Sequence, residues 1–104
     1  MTDVPTLDDN RRAHPRYKYV QPMQTVIARK LVKGFTADIG QGGVSFIVET
    51  MISPGIVIIE VPAADLVLEG RVLKYQPAAH PGLYHHHMQF TELLMTSVLE
   101  RILG

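Results

Sequence analysis

The sequence predicts an all-β domain, an antiparallel barrel or sandwich, closed by one C-terminal helix. Two observations carry that prediction. Between Gln24 and Phe90, short apolar runs rich in β-branched residues alternate with turns containing glycine or proline. After Phe90 the punctuation stops and apolar residues recur at helical spacing. With 104 residues the chain fits one domain, and 46% hydrophobic residues are enough for one modest core.

The elements follow in order. Residues 1–20 read as a flexible tail, because Pro5 and Pro15, with Pro22 just beyond, interrupt any helix and apolar periodicity is absent. His14 precedes Pro15 and so favours an extended backbone, which puts Arg12 and Arg16 on an irregular or extended segment rather than a helix. Residues 21–104 read as the folded body. A first strand is expected over 25–32 and a short second one over 34–39. Gly40, Gln41, Gly42 and Gly43 form a strong turn signal, read as a hairpin that needs positive φ. A strand resumes over 43–49, and Ser53-Pro54-Gly55 turns into the β-branched run 56–61. Residues 66–75 alternate with period two, and His80-Pro81-Gly82 leads into a last strand over 83–90. The helix is expected over 91–103, with Thr91 as its N-cap and Leu94, Met95, Val98, Leu99 and Ile102 as its apolar stripe.

Composition removes several function classes. The absence of cysteine excludes disulfides, thiolate metal sites and cysteine nucleophiles. A net charge of zero argues against a generic nucleic-acid coat or a polybasic membrane anchor. That zero conceals a polarity. Between Asn10 and Ala37 the charged residues are all basic: Arg11, Arg12, Arg16, Lys18, Arg29, Lys30 and Lys33. From Asp38 onward acids outnumber bases, so the first third suggests a localised anion site. The N-terminus does not read as a signal peptide, and the most apolar stretch, 55–68, is too short and too charged to cross a bilayer. A cytoplasmic protein without membrane insertion is expected.

Two motifs carry the chemistry. Arg12 and Arg16 form Arg-x-x-x-Arg, with Arg11 directly before it, and Asp38, Gly40 and Gly43 form Asp-x-Gly-x-x-Gly. Guanidinium groups bind phosphate through paired hydrogen bonds and also hold the O6 and N7 edge of guanine. A carboxylate accepts from guanine's N1–H and N2 amino group. Glycines admit a close approach of backbone to ligand. On extended chain, positions 12 and 16 point the same way about 13 Å apart, which suits an anion larger than one phosphate. Together these residue types describe a site for a phosphate-bearing ligand that contains guanine.

This order and spacing resembles the PilZ family of cyclic di-GMP receptors, whose pattern is Arg-x-x-x-Arg followed by Asp/Asn-x-Ser-x-x-Gly at a strand turn. The resemblance covers about residues 11–103, including Arg71-Val72-Leu73 and a closing strand that ends in Phe90. It implies a split barrel of six to seven antiparallel strands with a C-terminal helix, and a non-enzymatic receptor or adaptor without cofactor. By resemblance, Arg12 and Arg16 grip phosphate and guanine as the N-terminal segment folds over the ligand. Asp38 binds a guanine edge, Gly43 allows close approach, and Arg11 goes with a stacked ligand dimer. The output is a new surface for an effector protein in second-messenger signalling, in a family that spans motility and exopolysaccharide (biofilm) control in bacteria. Gly40 departs from the pattern, standing where the family has serine. The alternative is therefore a PilZ-fold interaction module with weak or lost ligand binding.

Other readings are weaker. His85 and His87 share a strand face, with His86 on the other, but neither His14 nor His80 is a convincing third metal ligand, so no metal is expected. Ser45, Ser53 and Ser97 lack an evident His and acid partner, which argues against an enzyme. A single-stranded nucleic-acid barrel would need more exposed aromatics than three Phe and four Tyr in strand patterns supply, so no DNA or RNA partner is expected. The sequence leaves the oligomeric state open.

Overall fold

The computed structural model describes residues 14–104, and Arg11 and Arg12 lie outside the described residues. The strands are β1 (Arg16–Lys18), β2 (Pro22–Ile27), β3 (Lys30–Gly40), β4 (Gly43–Val48), β5 (Gly55–Val61), β6 (Leu66–Pro77) and β7 (Tyr84–Phe90). A 3₁₀ turn at Pro62–Ala64 joins β5 to β6, and one helix, α1 (Thr96–Leu103), ends the chain. Every pairing is antiparallel, in the order β1-β3-β2-β5-β6-β7-β4. The β3–β4 pairing closes six of these strands into a barrel. β1 is an addition: it pairs with Asp38, Ile39 and Gly40 of β3, whereas β2 pairs with residues 30–35 of the same strand.

The ring closes because alternate residues fill it. Met23, Ile39, Val44, Phe46, Val48, Ile59, Val61, Val72 and Met88 are almost wholly buried and point inward from different strands. Leu99 of α1 is also buried, with Leu94, Val98 and Ile102 packed against the same core, so the amphipathic helix plugs onto the barrel. Among the described residues no helix is long and apolar enough to cross a membrane.

Three expectations need correction. The run 25–32 is not one strand: the chain reverses at Ala28 and Arg29, with φ of 51° and 67°, and Ile27 pairs with Lys30. Two central residues with positive φ make the tight hairpin that matches strand twist, here without the usual Asn or Gly. The helix starts five residues after Thr91, which is not its cap. Thr91 N–H instead donates to Glu69 O (3.0 Å) and Leu94 N–H to Gln41 O (2.8 Å), so tertiary partners hold the backbone out of helical geometry. Finally, Gly40 and Gly43 do not have positive φ, whereas Gly82 in the 80–82 turn does, at 83°.

His86 is completely buried and stacks on Phe46, with ring centroids 5.1 Å apart. Its Nε2 accepts from Ile52 N–H at 2.9 Å and its Nδ1 lies 3.1 Å from Tyr84 O. Those partners define a neutral imidazole protonated on Nδ1. Thr36, also buried, donates from Oγ1 to Tyr19 O and accepts from Gln21 N–H (2.9 Å). That hydroxyl fixes the corner from which β1 passes into β2.

Candidate functional site

β1 is only three residues long, yet it delivers Arg16 to Asp38. In this antiparallel register Arg16 lies opposite Gly40 and Lys18 opposite Asp38. Arg16 Nε and Nη2 both donate to Asp38 Oδ1, at 2.9 and 2.7 Å, and the pair is partly exposed. Gly40 makes the approach possible: a Cβ there would run into the Pro15 carbonyl oxygen and come within 3.0 Å of Arg16 Cδ. Gly43 plays the same part on the other side, where a Cβ would run into the Met88 carbonyl oxygen. Both glycines therefore serve close backbone contact rather than an unusual φ.

Asp38 faces outward because of a bulge. Thr36 opposes Phe46 and Asp38 opposes Ser45, leaving Ala37 as the extra residue. Thr36 points into the core, so strict alternation would send Asp38 inward as well; the bulge reverses it. A second bulge, at Leu73, does the same for Lys74. Val72 is buried opposite Met88, and Lys74 then opposes the outward His87. One transverse row results on the outer face: Lys18, Asp38, Ser45, His87 and Lys74, one residue each from β1, β3, β4, β7 and β6.

The middle of this row is unusual in its polar pairing. Ser45 Oγ and His85 Nε2 are buried and lack a hydrogen-bond partner among the described residues. The His85 and His87 rings stack at 4.9 Å. Burial lowers the His87 pKa first, followed by the charges of His85 and Lys74; Asp38 raises it, and Arg16 lowers it. His87 therefore feels both members of the Arg16–Asp38 ion pair.

Gln41, between two of the motif glycines, ties this corner to the segment before α1. Its carbonyl accepts from Leu94 N–H, and its Nε2 donates to Leu94 O (3.2 Å) and Thr96 Oγ1 (2.9 Å). His14 lies beside Gly42, since a Cβ on Gly42 would sit 3.3 Å from its Cδ2.

Of the residues singled out from sequence, Arg16, Asp38, Gly40 and Gly43 meet at one corner of the barrel, and Arg11 and Arg12 lie outside the described residues. Sequence reasoning missed the place of Ser45, His87, Lys74 and Lys18 beside them. Period-two alternation alone could not find that row, because each of the two bulges reverses the pattern. Among the described residues no group of three or more His, Asp or Glu is arranged to hold a metal ion.

The pattern of the PilZ domain family matches residues 10–104. No curated protein matches the chain. The match spans nearly the whole sequence, and a closed antiparallel barrel with one added strand and a C-terminal helix stands behind it. The chain belongs to the PilZ domain family, whose members are non-catalytic receptors for cyclic di-GMP.

Proposed function

We propose that this chain is itself a cyclic di-GMP receptor, and that ligand binding exchanges partners at the Arg16–Asp38 ion pair. The observation that carries the reading is that pair: the second arginine of Arg-x-x-x-Arg rests on the acid of Asp-x-Gly-x-x-Gly. Guanine's N1–H and N2 amino group present to Asp38 the donors that the guanidinium presents now. A phosphodiester presents to Arg16 the anionic oxygens that Asp38 presents now. Each group keeps a partner of complementary kind, so little is lost in the exchange. A partly exposed ion pair is worth about 0–1 kcal/mol, a small barrier to displacement. Arg12 closes on the ligand from the N-terminal side, and Arg11 favours a stacked ligand dimer. The N-terminal arginine segment, within residues 1–20, orders over the ligand and presents a new surface to an effector protein in the cytoplasm.

A second reading has one observation in its favour. The Pro15 carbonyl occupies the place where the family's serine would project from position 40. A module that has lost ligand binding would tolerate that occupancy. Isothermal calorimetry with cyclic di-GMP on wild type, Arg12→Ala, Arg16→Ala and Asp38→Ala separates the two. The receptor reading expects wild-type binding and a loss of at least about tenfold in each variant. Wild-type binding with unchanged affinity in all three would remove the proposed site. No wild-type binding would leave the interaction module.

A further inference from the structure

We infer that the ligand surface continues from Asp38 across the outer row, with Ser45, His87 and Lys74 contacting a phosphodiester of the same nucleotide ligand. The inference rests on the receptor reading and adds residues that lie outside both arginine and glycine motifs.

Three observations carry it. First, two independent bulges, at Ala37 and Leu73, turn Asp38 and Lys74 out of the barrel onto one row. Bulges re-aim side chains, and here both deliver a charge to the same face. Second, the hydroxyl between them has no partner among the described residues: Ser45 Oγ is buried without a hydrogen bond there, and so is His85 Nε2 on the neighbouring row. Buried polar groups left unpaired are costly, and a ligand oxygen that reaches the Ser45 hydroxyl would pair it. Third, the spacing fits. His87 is two strands from Asp38, about 10 Å, and Lys74 is one strand farther. That reach is comparable with the distance from a purine's pairing edge to the phosphate of the same nucleotide.

The row therefore reads as an acid for the base and cations for the phosphate. His87 is the adjustable member. Among the described residues, the charged and titratable groups acting on it are Arg16 on β1, Asp38 on β3, Lys74 on β6 and His85 on its own strand, and β4 sets Ser45 opposite it. Burial and the neighbouring cations lower the His87 pKa in the free protein. An added phosphodiester would favour its protonated form, so binding takes up a proton and tightens as pH falls. The phosphodiesters themselves stay ionised throughout that range.

The test is calorimetry with cyclic di-GMP at about pH 6 and about pH 8, on wild type, Ser45→Ala, His87→Gln, Lys74→Gln and Arg29→Gln. Arg29→Gln makes the same charge change at the distant β2–β3 turn. Lys74→Gln is expected to weaken binding about tenfold and Ser45→Ala about threefold, with Arg29→Gln near wild type. Wild type is expected to bind several-fold more tightly at the lower pH, and His87→Gln to lose that dependence. Far-ultraviolet circular dichroism checks that each variant is folded; exposed Lys74 keeps the test decisive if His87→Gln is not. Binding that is sensitive to Arg16→Ala and Asp38→Ala but indifferent to Lys74→Gln and His87→Gln would overturn the outer row and leave the receptor reading intact. Equal losses in Lys74→Gln and Arg29→Gln would reduce the row to a general field and also overturn it. No wild-type binding would overturn both.

Discussion

Gly40 is where this chain departs from the family's serine, and its surroundings give a physical reason. A side chain at 40 would collide with the Pro15 carbonyl, so Gly40→Ser is expected to lift β1 from β3 and break the Arg16–Asp38 pair. The readout is faster amide exchange at residues 16–18, with the unfolding midpoint of the barrel little changed. His86 gives a second prediction at this scale. Burial is the main cause that lowers its pKa from the ordinary 6.5. Between that value and the lower folded one, the unfolded chain binds more protons than the folded chain. Stability should therefore fall as the pH drops through that window, and His87 adds in the same direction. His86→Gln should cost about 1–3 kcal/mol near neutrality, through the Ile52 N–H and the lost stacking on Phe46. It should also flatten the acid limb, read from thermal melts between about pH 7 and pH 5.

At the scale of the element, the β2–β3 hairpin and the start of α1 are the places where local signals failed. Ala28 and Arg29 hold positive φ without the side chains that favour it, so nothing in the run 25–32 marks the reversal. Ala28→Asn combined with Arg29→Gly should stabilise the protein by about 0.5–1 kcal/mol, seen as a rise of a few degrees in Tm. Thr91 has the residue type of an N-cap, but Glu69 and Gln41 capture the backbone N–H groups of Thr91 and Leu94. Gln41→Ala should loosen this segment by about 1 kcal/mol, measured as lower helix protection in hydrogen exchange. The strands over 43–49, 56–61, 66–75 and 83–90 were legible because β-branched residues and glycine or proline turns report local preference. The site was half legible for the same reason. Arg16, Asp38, Gly40 and Gly43 form sequence motifs, whereas Ser45, His87 and Lys74 join them only through cross-strand register and two bulges.

For the whole molecule, the separation between ring and added strand governs how stability is distributed. Six strands satisfy one another around a closed circuit, which supplies most of the buried core, and α1 packs against it. Global unfolding should set the slowest exchange for inward positions such as Phe46, Ile59 and Val72, while Arg16–Lys18 exchange by local opening. Two populations of protected amides, one insensitive to low denaturant and one falling steeply with it, would be the measured signature. Removing three residues from the rim leaves the remaining circuit intact, because β3 keeps β2 on one flank and β4 on the other. The molecule thus confines its labile bonding to the strip that carries Arg16. A messenger arriving there has only a short seam to undo, and the rest of the fold serves as an unyielding anvil beneath it.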